Sequence, residues 1–259
     1  MCLIAWRWQP TDATPLVLLA NRDEFYARPT QALAQWPDSP VIAGRDLEGG
    51  GTWLGVTATG RVAALTNYRD PDSMAPGRPS RGAIVQGFLE SKMSVSPFLN
   101  ELARYAGQYN PFNLLVYDGK TLAGCESRGA EFREIALQVG VGCLSNGDFD
   151  AAWPKVTRLR EALADVMAED DASDPRLLGL LCDREVAPDA QLPATGVPVD
   201  LERALSAAFI SLPSYGTRAS TVLRVHKDSV HMIERSFDAA GMATDVALSR
   251  TFQGQEDIL

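Results

Sequence analysis

Residues 1–24 read MCLIAWRWQPTDATPLVLLANRDE. Two short apolar runs, 3–8 and 16–21, flank a turn that contains Pro and Thr, which predicts a hairpin or strand pair. Such a pair begins at Cys2 and returns Asn21, Arg22, Asp23 and Glu24 close to that beginning. The thiol of Cys2 is a nucleophile in its thiolate form, with an ordinary pKa of about 8.5. If Met1 is removed, the α-amine of Cys2 has an ordinary pKa of about 7.7–8.0 and can act as the neighbouring base. A carboxylate such as Asp23 can hold that amine through a charge-assisted hydrogen bond. Neighbouring residues on an extended strand face opposite ways, so Arg22 and Asp23 both reach Cys2 only where the strand ends or bulges.

The chain has 259 residues, 46% of them hydrophobic and 22% charged, with a formal net charge of −9. That length supports a full core without disulfides or metals, and the apolar content excludes a disordered chain. The acidic balance argues against a nucleic-acid partner. No apolar run approaches the roughly 18 residues that span a bilayer. The amino-terminal stretch lacks the basic and long apolar regions of a secretory signal. The expectation is one soluble, cytoplasmic domain spanning residues 1–259. Cys125, Cys143 and Cys182 form no CxxC pair and are expected to be reduced, buried thiols. His226 and His231 lie five apart, on opposite faces of a strand, which disfavours a zinc site.

Further along, a possible strand at 41–45 precedes the breaker Gly49-Gly50-Gly51. Segments 52–57 and 61–67 flank Ala58-Thr59-Gly60 and predict a hairpin with positive φ at the glycine. A loop at 69–79 leads to helices at 80–91 and 96–105. Segments 113–117, 121–126, 132–137 and 140–144 predict a meander. Residues 153–169 carry the clearest helical periodicity, with Val156, Leu159, Leu163 and Val166 at three- and four-residue steps. Shorter helices are expected at 175–182 and 200–209, and a last hairpin at 220–225 and 230–235. Strands, helices, strands, helices, strands is not the alternation of a doubly wound sheet. It suits an α+β fold of two antiparallel sheets with helices packed outside.

Other polar groups fall at element ends. Asn67 and Asn146 close predicted strands, where an amide N–H can donate to an oxyanion. Arg218 precedes the last hairpin and suits a substrate carboxylate or orientation of the nucleophile. The triple glycine lacks the lysine and spacing of a phosphate loop, but it allows close backbone approach to a ligand while Trp53 lines the pocket.

The segments MCLIAW, LLANRDEFYARPT, GRDLEGGGTWLG, ALTNYRD, LSNG and YGTR, in this order, resemble the NRDE family, whose animal members are called transport and Golgi organisation protein 2. The resemblance covers essentially the whole chain. It implies an N-terminal nucleophile hydrolase fold, a four-layer αββα sandwich. Within that superfold the choloylglycine hydrolases and penicillin V acylases cleave amides with an N-terminal cysteine. Their pattern implies Cys2 as nucleophile, Asp23 at the amine, Asn67 and Asn146 on the oxyanion side and a late arginine at Arg218. Asn21, Arg22, Trp53 and Tyr68 then become substrate-binding candidates. Those hydrolases carry an arginine three residues before the aspartate, where this chain has Ala20. The hydrolase reading requires no cofactor and no metal. The family is also linked to heme movement and to lipid or acyl-CoA metabolism, which implies a non-catalytic carrier or chaperone as the alternative. The absence of CxxCH disfavours covalent heme.

Overall fold

A computed structural model of the chain describes residues 2–149, 151–169 and 172–252. The second strand decides the layering. β1 (Cys2–Trp8) and β2 (Leu16–Phe25) form the expected antiparallel pair. Leu16, Leu18 and Ala20 of β2 face a core between two sheets, while Val17 and Leu19 face a second core beneath helices. A strand buried on both faces has no polar side to show, so the run LVLLA reads as continuously apolar.

One sheet has six strands in the order β10-β1-β2-β11-β12-β13. It adds β10 (Gly140–Leu144), β11 (Tyr215–Val225), β12 (Ser229–Phe237) and β13 (Ala243–Thr251). The other has seven strands in sequence order from β3 to β9. These are β3 (Thr30–Gln35), β4 (Val41–Asp46), β5 (Leu54–Thr57), β6 (Val62–Asn67), β7 (Phe112–Tyr117), β8 (Leu122–Arg128) and β9 (Glu131–Ala136). All pairings within both sheets are antiparallel. Ile4, Leu18, Ile42, Val56, Leu115 and Leu223 fill the space between the sheets.

Helices cover both outer faces. α1 (Gly82–Glu90) and α2 (Val95–Ala103) bury Val85, Phe88, Phe98 and Leu99 against Ala63, Leu65, Leu114 and Val116 of the larger sheet. α3 (Pro154–Ala168) and α4 (Asp174–Leu180) bury Leu159, Leu163, Leu177 and Leu178 against Leu3, Val17, Leu19 and Val222 of the smaller one. Two antiparallel sheets between helical layers is the expected arrangement. Gly60 has φ +81° in the hairpin where positive φ was expected. Among the described residues no helix is long and apolar enough to cross a membrane.

Several expectations need correction. Residues 140–144 do not continue a meander: β10 leaves the larger sheet and pairs with β1. Trp6 requires this placement to carry a glycine, because a Cβ on Gly142 would lie 2.2 Å from its ring. Local periodicity carries no information about such a partner. The edge strands β3 and β13 were not foreseen, since solvent on one side leaves them few buried residues. YGTR lies inside β11, not before it. The last helix, α5 (Val199–Ala204), stops short of residue 209. Cys125 and Cys143 are buried as expected, but Cys182 is exposed.

Leu18→Ala would leave a void between the sheets and should cost about 3 kcal/mol. The check is a lower urea midpoint at unchanged slope.

Candidate active site

The ends of β1 and β2 open into a cavity of about 520 Å³. Cys2, Arg22, Asp23, Glu24, Trp53 and Asn67 line it, together with the segment Arg78–Gly82 that leads into α1. Cys2 stands opposite Arg22 in the β1–β2 register. On the other side of β2 the pairing with β11 slips between Thr217 and Ala219, leaving Arg218 as an extra residue. This bulge on β11 lies opposite the step from Arg22 to Asp23.

Cys2 is 8% exposed. Its carbonyl accepts a hydrogen bond from Ser145 Oγ at 3.1 Å, which ties β1 to the end of β10. Burial pushes the thiol above its ordinary pKa, the charge of Asp23 adds to this, and Arg22 opposes it. Asp23 is 1% exposed. Its Oδ1 accepts from Thr217 Oγ1 at 2.7 Å, and its carbonyl accepts from the Tyr215 hydroxyl at 3.0 Å. Burial pushes the carboxyl up, while the charge of Lys155 pulls it down. Lys155 is itself 1% exposed, in the first turn of α3, and donates to the Leu205 carbonyl at 2.9 Å. Burial drives its ammonium from 10.5 down to about 8, and the nearby charge of Arg69 adds to this.

The other wall is built on Asp46. It accepts from Arg22 at 3.1 Å, from Arg28 at 2.7 Å and from the Gly49 N–H at 2.8 Å. Although burial works the other way, the Arg28 and Gly49 bonds hold the Asp46 carboxyl below its ordinary range. The Arg22 guanidinium lies 4.5 Å from the Trp53 ring centroid. Behind Trp53, a Cβ on Gly44 would sit 2.4 Å from the indole. Gly51 and Gly82 let two backbones meet, since a Cβ on Gly51 would lie 2.4 Å from the Gly82 carbonyl carbon. The glycine run is therefore a close approach of chain to chain at the cleft.

The structure brings Cys2, Arg22, Asp23, Trp53 and Asn67 to one cleft. Four other expected residues stand elsewhere. Asn21 faces the helical layer, donating to the Leu181 and Ala208 carbonyls, both at 2.8 Å, and accepting from Ser220. Strand alternation puts it on the opposite face from Arg22. Asn146 is fully buried, and its amide donates to the Asn67 carbonyl at 2.8 Å. It positions Asn67 and borders a different cleft. Tyr68 borders that same second cleft, under the Arg128 guanidinium at 3.7 Å. Arg218 donates to the carbonyls of Phe25, Tyr26 and Arg28 at 3.0–3.1 Å. It clamps the turn after β2 and does not line the cleft.

The family model described as Transport and Golgi organisation 2 matches residues 1–239. The chain belongs to this family. The Transport and Golgi organization protein 2 homolog of Bos taurus is 34% identical over 259 residues, covering 91% of this chain and 93% of that protein. Among solved structures, a Caenorhabditis elegans ortholog of N-acylethanolamine-hydrolyzing acid amidase superposes with TM-score 0.51 at 10% identity, covering 86% of this chain and 92% of that one. A mutant conjugated bile acid hydrolase from Clostridium perfringens gives TM-score 0.51 at 9% identity, covering 99% and 98%. At these identities the likeness is one of fold. This family member thus has an N-terminal nucleophile hydrolase-like architecture.

Sequence reasoning missed Lys155, Thr217, Arg28, Asp46, Arg78 and Arg81. Lys155 had a signal: it sits four and eight residues before Leu159 and Leu163, on the apolar stripe of α3. A lysine there must be buried with a partner or a shifted pKa. Arg28 and Asp46 are distant in sequence and meet only through the fold.

Two measurements check this electrostatic picture. The unfolded state binds more protons than the folded state between about pH 8 and the ordinary lysine range, so Lys155 makes stability rise with pH across that window. Lys155→Met should flatten the rise, read as the difference between wild-type and variant unfolding free energies. Asp23→Asn removes a charge that opposes the Cys2 thiolate, so the pH midpoint for Cys2 alkylation should move down.

Proposed function

We propose that this chain is an N-terminal-cysteine hydrolase acting on the carbon–nitrogen bond of an acyl amide small molecule. One observation carries the reading: Cys2, the second residue, opens into a cleft shared with Asp23, Asn67 and Arg22. The amidase-like fold supports it.

In this reading Met1 is removed and the freed amine of Cys2 takes the thiol proton. The sulfur attacks the acyl carbon, and the carbonyl π electrons move to oxygen. Collapse of the tetrahedral intermediate breaks the C–N bond, and the ammonium returns its proton to the leaving amine. Water, deprotonated by the same amine, then cleaves the thioester and restores the thiol. Asp23, on the other face of β2 from Arg22, suits the amine better than the sulfur, and Thr217 holds it in place. Asn67, fixed through its carbonyl by Asn146, supplies the oxyanion donor. We place this activity in the cytoplasm on the sequence reading.

A second reading is a non-catalytic carrier or chaperone for a lipid, acyl-CoA or heme. It is favoured by burial, which pushes the Cys2 thiol up and so works against the thiolate. The lining residues do not fit a histidine-ligated heme. His226 is bonded to Thr14 and His231 to Asp174 and Ser249, and neither borders the cleft. The walls carry charge rather than an apolar platform for a macrocycle.

Intact mass of the purified protein should lack Met1. Turnover of an N-acyl substrate panel should fall at least about 10³-fold in Cys2→Ala. Retention of Met1, or equal turnover by Cys2→Ala, overturns the hydrolase reading. Ligand retention without turnover in the wild type selects the carrier.

A further inference from the structure

The charges around the cleft are paired unevenly. Arg22 and Arg28, on one wall, are compensated by Glu24, Asp46 and Glu48. Arg78 and Arg81, on the wall before α1, have no carboxylate within ion-pair distance among the described residues. Arg78 Nη1 donates to the carbonyls of Gly107 and Tyr109 at 2.8 and 2.7 Å. Arg81 Nη1 donates to the Pro111 carbonyl at 2.9 Å. One nitrogen of each guanidinium is thus anchored on the turn before β7, and both arginines line the cleft. The chain as a whole carries a net charge of −9, so a cationic wall without an ion-paired carboxylate stands against the general field. Burial works against the Arg81 cation; a Cys2 thiolate and Glu24 favour it, and Arg28 opposes it.

Resting on the hydrolase reading, we propose that the cleft selects acyl substrates that carry an oxyanion group, and that Arg78 and Arg81 bind this group. A fixed guanidinium gives parallel donors to carboxylate, sulfonate or phosphate oxygens. The anionic end lies against this wall while the acyl carbon reaches Cys2. A cavity of about 520 Å³ accommodates both ends of one small molecule. Neutral amides of similar size lack the anchor.

The test uses the intact chain and needs no substrate. Iodoacetate and iodoacetamide transfer groups of similar size to a thiolate and lose the same iodide, but only the first is anionic. Their rate ratio at Cys2, followed by peptide mass, cancels any change in thiolate fraction. Arg78→Gln with Arg81→Gln should lower the iodoacetate-to-iodoacetamide ratio by roughly fivefold or more. Arg78→Lys with Arg81→Lys should keep it near the wild-type value. In parallel, inorganic phosphate or succinate at fixed ionic strength should raise the thermal midpoint of the wild type and of the lysine variant, and not of the glutamine variant. Which of the two anions acts more strongly separates a phosphate end from a carboxylate end. An unchanged ratio in the glutamine variant, or equal anion stabilisation of both variants, overturns the proposal. If Cys2 resists both reagents while the anions still distinguish the variants, the hydrolase reading fails and the anion site stands.

Discussion

The register of β1 against β2 places Cys2 opposite Arg22, and the cleft depends on that pairing. A slip of one residue would turn every side chain of β1 to the other face. Leu3 and Ala5 would then leave the helical layer, Ile4 and Trp6 would leave the space between the sheets, and the thiol would leave the cleft. Burial on both faces makes such a slip costly along the whole strand. The same cores that stabilise the sandwich therefore hold the first side chains of the chain in place. The Ser145 hydroxyl on the Cys2 carbonyl extends that constraint to the last residues before the strand end.

Beneath the cleft lies a buried polar group of mixed charge. Asp23, Thr217, Lys155 and the Arg69–Glu202 pair at 2.6 Å are all buried. Burying these charges is costly unless they compensate one another. Lys155 illustrates the balance: desolvation lowers its proton affinity, and Asp23 partly restores it. Substitutions in this group act on the electrostatics of the cleft floor as well as on stability.

The parts of the fold legible in the sequence were those with a local cause. The β1–β2 pair, the Gly60 hairpin and α3 follow from apolar patterning and turn chemistry. What was not legible came from pairings over long distances. The pairing of β10 with β1 in the other sheet sets Gly142 opposite Trp6, where a side chain would not fit. The edge strands have too few buried residues to leave a pattern. In the cleft, residues at strand ends were found, because strand ends collect polar groups. Asn21 and Asn146 look like cleft residues for the same reason, yet their amides cap backbone carbonyls in the interior. Arg218 likewise holds a turn, a role that four carbonyls converging on one guanidinium reveal only in three dimensions.

The glycine contact between residues 51 and 82 divides the labour of the cleft. The thiol belongs to a central sheet that tolerates little change, whereas the cationic wall belongs to an irregular connection riding on that contact. Because the two backbones touch without side chains between them, the connection can vary in length and composition upstream of its anchor without disturbing the strands. Substitutions confined to the exposed residues 76–79 would change the ligand-facing wall while leaving the sulfur's surroundings intact.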